Sequence, residues 1–232
     1  MVYVTGDTHG RIDFEKMLRF AEKHPNLTKK DYVIVAGDFG GVWMKKYLTE
    51  DLKLYESLPF TVLFVDGNHE NFDLLNAYPL ESWKGGKVHR VSPHVLHLTR
   101  GQVFTIEGKT FFTFGGGTSI DKCFRVEGES WWRQEIPSQS EVDEGLSNLQ
   151  KVGNKVDFII THSCDERALY YPPLRDHRNP FKMKTYPDNL ILSVFEDRVD
   201  YGHWYFGHYH LDGKLTDKKT VVYRNFISVI NK

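Results

Sequence analysis

The chain has 232 residues and a formal net charge of -1, with 40% hydrophobic and 26% charged residues. That composition is ordinary for a globular protein and is enough for one substantial core, so a single domain over residues 1–232 is expected. It lacks the basic excess of a protein that holds long nucleic acid, and no apolar run approaches the ~20 residues that span a bilayer, so neither partner is expected.

The chain opens on MVYVTGD, which has neither the basic segment nor the apolar run of a signal peptide, and cytoplasmic localisation is the default expectation. Val2 to Thr5 reads as a short buried strand ending at Gly6. Residues 12 to 23, with Ile12, Met17, Leu18 and Ala21 between charges, predict an amphipathic helix. Tyr32 to Ala36 is a second strand, residues 46 to 57 a second helix and Thr61 to Val65 a third strand. This alternation predicts an α/β fold with a parallel sheet covered by helices. Strands follow at His94 to Leu98, Gln102 to Glu107 and Lys109 to Phe114, with a tight turn at Glu107-Gly108. A helix is expected over residues 139 to 151, then strands at Phe158 to Thr161 and Trp204 to Phe206, and a hairpin over residues 214 to 224. Two stretches, 115–137 and 163–187, carry no regular pattern and are long enough to be functional loops. The two cysteines, Cys123 and Cys164, form no Cys-x-x-Cys signature and read as free thiols in a reducing compartment.

Each of five apolar strands ends in a side chain able to bind a metal. VYVT leads to Gly6-Asp7-Thr8-His9, YVIVA to Gly37-Asp38, and TVLFVD to Gly67-Asn68-His69. DFIIT leads to His162, and WYF to Gly207-His208-Tyr209-His210. In open α/β sheets, ligand sites gather at the carboxyl ends of the strands, so the five segments can converge on one crevice. Asp7 and His9, and likewise His208 and His210, are two residues apart and project to one side of an extended segment. Taken singly, an Asp or Asn after a strand is more often a turn former or helix cap, and a lone histidine is equally weak. The joint occurrence carries the argument. Oxygen and imidazole donors without thiolate favour manganese, iron or zinc over copper(I).

GDTHG, GD, GNHE, TH and GHYH, in that order from Gly6 to His210, resemble the five signature motifs of the calcineurin-like metallophosphoesterases. The resemblance implies a two-sheet β-sandwich flanked by helices, in four layers, with a dinuclear metal site at its edge. It implies that Asp7, His9 and His210 hold a first divalent ion. Asn68, His162 and His208 would hold a second, Asp38 would bridge the two, and His69 would stand beside them as general acid. Two divalent ions against two carboxylates leave the centre positive, which suits a phosphate. A water between the ions would then be the nucleophile near neutral pH. The expected substrate is a small phosphorylated molecule, with a nucleotide-type diester or anhydride as the alternative to a monoester.

The second motif departs from the protein-phosphatase form of the family. Gly41 replaces the aspartate that orients the catalytic histidine there, Val42 replaces the phosphate-clamping arginine, and Cys164 stands where the fourth motif often has proline. Arg11, next to the first motif, and Arg167 and Arg175 in the second irregular stretch are the expected substitute phosphate contacts, with Arg125 and Arg133 as further candidates. Trp131, Trp132, Tyr170, Tyr171 and Phe181 are candidates to stack on a base, and the two irregular stretches to select the substrate as a lid. A catalytically silent scaffold of the same fold is the rival class, but it predicts eroded ligands and none is missing. No feature sets an oligomeric state.

Overall fold

The computed structural model describes residues 1–175 and 184–231. Strands β1 (Val2–Thr5), β2 (Tyr32–Val35) and β3 (Thr61–Phe64) alternate with helices α1 (Phe14–Lys23) and α2 (Leu48–Glu56). There follow a short helix α3 (Phe72–Leu75) and strands β4 (Leu80–Trp83), β5 (Gly86–Ser92), β6 (Val95–Leu98), β7 (Gln102–Ile106) and β8 (Lys109–Phe114). Helix α4 (Gln139–Lys151), strand β9 (Lys155–Thr161), helix α5 (Pro187–Glu196) and strands β10 (Asp200–Phe206), β11 (Gly213–Thr216), β12 (Lys219–Val221) and β13 (Ile227–Ile230) complete the order.

The strands form two mixed sheets, β13-β1-β2-β3-β6-β5-β4 and β11-β12-β10-β9-β8-β7. In each, the central strands are parallel and the edges antiparallel: β1, β2, β3 and β6 in one sheet, β8, β9, β10 and β12 in the other. Strand alternation divides the core. Val2, Val4, Ile34 and Leu63 face Phe104, Phe111, Ile160 and Tyr205 between the sheets. Tyr3, Val33, Val35 and Phe64 turn the other way, onto Phe14 and Met17 of α1 and Leu52 and Tyr55 of α2. Phe112, Phe114, Ile159 and Phe206 pack on Leu149 of α4 and on Leu192 and Phe195 of α5. The result is helix, sheet, sheet, helix, the four layers that the resemblance implies.

Several sequence expectations shift in detail. Helix α1 buries Phe14, Met17 and Phe20, whereas Ile12 lies before the helix and is 82% exposed. Helix α4 starts with a capping box between Ser138 and Glu141, which satisfies its first free amides. Helix α5 had no sequence signal, because its apolar residues are nearly continuous and show no clear period; a proline at its first turn starts it. Among the described residues, no helix is long and apolar enough to cross a membrane.

Candidate metal centre

The carboxyl ends of β1, β2, β3, β9 and β10 open on one edge of the sandwich. Each chain must turn sharply there while presenting a side chain to the centre. His9, Asp38, His208 and His210 accordingly adopt positive φ, from 44° to 69°, which non-glycine residues rarely do. Two glycines make the close approach possible. A Cβ on Gly37, whose φ is +86°, would fall 2.1 Å from His162 Nδ1, and one on Gly67 would fall 2.1 Å from Asp38 Oδ1.

The seven candidate ligands come together. His210 Nε2 lies 3.1 Å from Asp7 Oδ2, and Asp7, His9 and His210 form a group whose donor atoms could hold one cation. Asp38, His162 and His208 form a second such group, with His208 Nδ1 3.1 Å from His162 Nε2. Asn68 Oδ1 faces the same His162 nitrogen at 3.1 Å. Asp38 reaches both groups: its Oδ2 is 3.4 Å from His9 Nε2, its Oδ1 3.3 Å from His162 Nε2. The amide of His69 donates to Asp38 Oδ1 at 2.7 Å, which fixes the carboxylate between them.

The donor set fits cations. Asp7 Oδ2 is buried without a hydrogen bond, although His210 Nε2 is close, so acceptor and imidazole nitrogen point at the same space. His162 turns Nδ1 to the carbonyl of Ala36 at 3.0 Å, which leaves Nε2 for the centre. His9 likewise turns Nδ1 to Asp13 at 2.8 Å, the outer partner that orients a metal-binding imidazole. Asp13, four residues after His9, was missed in the sequence, where that spacing is its only signal. Without cations, His9 and His162 hold protons instead. Burial opposes charge on His162 and His9, but Asp38 outweighs it and lifts them to about 10 and about 9. Burial pushes the Asp38 carboxyl up, but His162 and His9 hold it well below the usual range. Burial and the charge on His162 lower His208 to about 4. Metal uptake at pH 7 must then displace protons from His9 and His162. Titration of chelated protein with manganese, by calorimetry in buffers of different ionisation enthalpy, is expected to show net proton release; heats independent of the buffer would contradict it.

His69 and His210 are shared by two cavities that flank the centre. One, of about 380 Å³, is lined by polar groups that include Asn68, Thr118, Asp121, Arg125, Lys184 and Asp188. The other, of about 510 Å³, runs past His9 toward Ile12, Trp43, Met44 and Tyr47. Arg125, from the first irregular stretch, reaches His69: its Nη2 is 3.2 Å from His69 Nε2, and it pairs with Asp121 at 2.7 Å. Burial lowers the His69 pKa, and Arg125 adds to that against the opposing pull of Asp38. Behind Asn68, Ser119 Oγ accepts from its Nδ2 at 3.3 Å and donates to Glu135 at 2.7 Å.

The other candidates lie as follows. Arg11 borders the larger cavity but pairs with Asp51 at 2.5 Å. Arg167 pairs with Asp197 at 2.6 Å on the surface, and Arg133 pairs with Glu127. Arg175 is exposed, and neither Arg167 nor Arg175 lines the two cavities. Trp132 is 3% exposed, with Nε1 donating to Asp73 at 2.8 Å, so it packs as core rather than offering a stacking face. Tyr170 and Tyr171 are exposed away from both cavities, and Trp131 lies under Lys122. Phe181, and Arg178 of the same irregular stretch, lie outside the described residues. Trp43, Met44 and Tyr47 stand at the centre instead, and nothing in their sequence context marked them.

No curated protein sequence matches the chain. Among solved structures it is similar to phosphopantetheinyl hydrolase from Mycobacterium tuberculosis, at 15% identity and TM-score 0.46, covering 96% of this chain and 89% of that one. It is also similar to a protein of unknown function from Aquifex aeolicus, at 13% identity and TM-score 0.39, covering 84% of this chain and 92% of that one. The family model for calcineurin-like phosphoesterase matches residues 1–212, and the chain belongs to that family.

Proposed function

We propose that the protein is a metal-dependent hydrolase of small phosphate esters, with Asp38 bridging two divalent ions and His69 protonating the leaving group. The observation that carries this is the orientation of Asp38, which turns one oxygen to His9 and the other to His162. Asp7, His9 and His210 would hold one ion, and Asn68, His162 and His208 the other. Their oxygen and imidazole donors suit manganese, iron or zinc. Bound there, the ions would offset phosphate charge and activate water near neutral pH.

The chain's own groups supply the rest. Arg125 and Lys184 bring positive charge to the polar side of the cleft, where phosphate oxygens would lie. They come from the two irregular stretches, 115–137 and 163–187, which supports a role for these in selecting substrate. Of the candidate arginines, Arg125 borders this side of the cleft and Arg11 the other. His69, within reach of Arg125 and anchored through its amide to Asp38, faces both cavities and can deliver a proton to an oxygen leaving on either side. Cavities of this size accept small molecules rather than a folded protein chain.

Chelation is expected to abolish hydrolysis of a nitrophenyl phosphate, and manganese to restore it. Asp38→Asn should lose both metal content, read by elemental analysis, and activity, because the charge shared by the two groups is gone. Full metal occupancy in Asp38→Asn, or activity that survives chelation, would overturn the reading.

A further inference from the structure

The cleft is not chemically even, and its larger arm has an unusual wall. Ile12 is 82% exposed, Met44 45% and Tyr47 43%, and all three border the same cavity. Exposed apolar side chains scattered singly need no explanation; gathered around one concavity they mark a binding surface. Trp43 completes the wall. Its ring lies edge-on to Trp132 at 5.5 Å, and its carbonyl accepts from Asn71 Nδ2 at 2.9 Å. Trp132 is in turn tied to Asp73, so the indole is held ready rather than free to swing. The cavity is continuous with the metal centre, because His9, His69 and His210 form its inner end. The Trp43 ring stands 6.1 Å from that of His69. The smaller cavity, on the other side, sets Asp121, Arg125, Lys184 and Asp188 among Ile120, Tyr186 and Tyr209, so charged groups interrupt its apolar lining.

We infer that this lobe binds the organic arm of the substrate, and that the arm is apolar and planar, of aryl size or larger. The inference rests on the phosphoesterase reading and narrows its substrate class. A phosphorus at the centre would send the arm past His69 onto Trp43, Met44 and Tyr47. The oxygen joining arm to phosphorus then lies beside the proton donor, so this arm is the leaving group. Water forms the new bond to phosphorus, the bond from phosphorus to the arm's oxygen breaks with its electron pair on that oxygen, and the proton comes from His69. The products are a phosphate and an apolar alcohol or phenol.

The test measures binding, so that it stands apart from turnover. Manganese-loaded protein is titrated calorimetrically with methylphosphonate and with 1-naphthylmethylphosphonate, which carry the same charged group and differ in the arm. Naphthylmethylphosphonate is expected to bind at least about tenfold more tightly, since burying an aryl arm removes substantial apolar surface from water. In Met44→Ser, Tyr47→Ser and Ile12→Ser the ratio of the two affinities should fall toward one. These side chains are exposed, so their replacement should leave the fold intact, and thermal melting confirms it. Equal affinity for the two phosphonates in the parent protein overturns the lobe while leaving the metal centre standing. A preference that persists unchanged in all three variants also overturns it, because the arm then lies elsewhere. Failure of both phosphonates to bind removes the phosphoesterase reading, and the lobe with it.

Discussion

His69→Ala is expected to keep its metals and lose about 10²–10⁴ in turnover on esters with poor leaving groups, the usual contribution of a positioned general acid. His69 also groups with His9 and Asp38, but the groups Asp7-His9-His210 and Asp38-His162-His208 are complete without its side chain. Its amide anchors Asp38, and that contact survives the substitution. The loss should shrink on nitrophenyl esters, whose leaving oxygen needs little protonation. The pH dependence has a definite sign. Burial holds the His69 pKa below the ordinary imidazole value, with Arg125 reinforcing it. An acid acts only while protonated, so turnover of poor leaving groups should fall as pH rises through that lowered pKa. The variant should lack this fall. Steady-state kinetics across pH with alkyl and nitrophenyl esters, alongside elemental analysis, make the comparison. An equal loss on both ester classes would remove His69 from the acid role.

Arg100→Met is expected to cost about 3–5 kcal/mol of stability, the usual effect of stripping one partner from a buried ion pair. Arg100 and Asp66 are 7% and 1% exposed. Arg100 Nε donates to Asp66 Oδ2 at 2.9 Å, and Nη2 donates to the carbonyl of Gln134 at 2.7 Å. Once the guanidinium is gone, Asp66 Oδ2 has lost the donors Nε and Nη2, and the carboxylate is left with His97 Nε2 on Oδ1, at 3.1 Å. Burial alone would push the Asp66 carboxyl up, but Arg100 and His97 hold it well below the usual range. A group with a lowered folded pKa stabilises above its unfolded value and loses that contribution as pH falls through the folded one. The cost of the substitution should therefore be full at pH 7 and shrink in acid, where Asp66 takes up a proton. Urea denaturation at pH 7 and in acid reads both effects. The centre should feel the change too, because Asp66 stands two residues before Asn68 and its carbonyl accepts from Gly116 at 2.9 Å. A loss under about 1 kcal/mol at pH 7 would contradict this account.

The metal-capable side chains were legible in the sequence because their signals are local. A short β-branched run followed at once by Gly-Asp or Gly-Asn marks a buried strand and the turn at its end, and His208 and His210 flank a single tyrosine. The parallel order of β1, β2 and β3 followed from the same local alternation with α1 and α2. What stayed hidden depends on pairs far apart in the chain. Nothing local joins His9 to His210 or Asn68 to His162; two sheets must pack face to face before their strand ends share one edge. Arg125 reads as one of several loop arginines until its chain folds back over His69. Among the described aromatics expected to stack, packing claimed Trp132, and Tyr170 and Tyr171 stay exposed outside the two cavities, while Trp43, Met44 and Tyr47 line the cleft from the segment between β2 and α2. A side chain's type and its place on a strand or turn are set by neighbours in sequence. Whether it ends in the core, on the surface or at the wall of a cleft is decided by which distant elements pack against it.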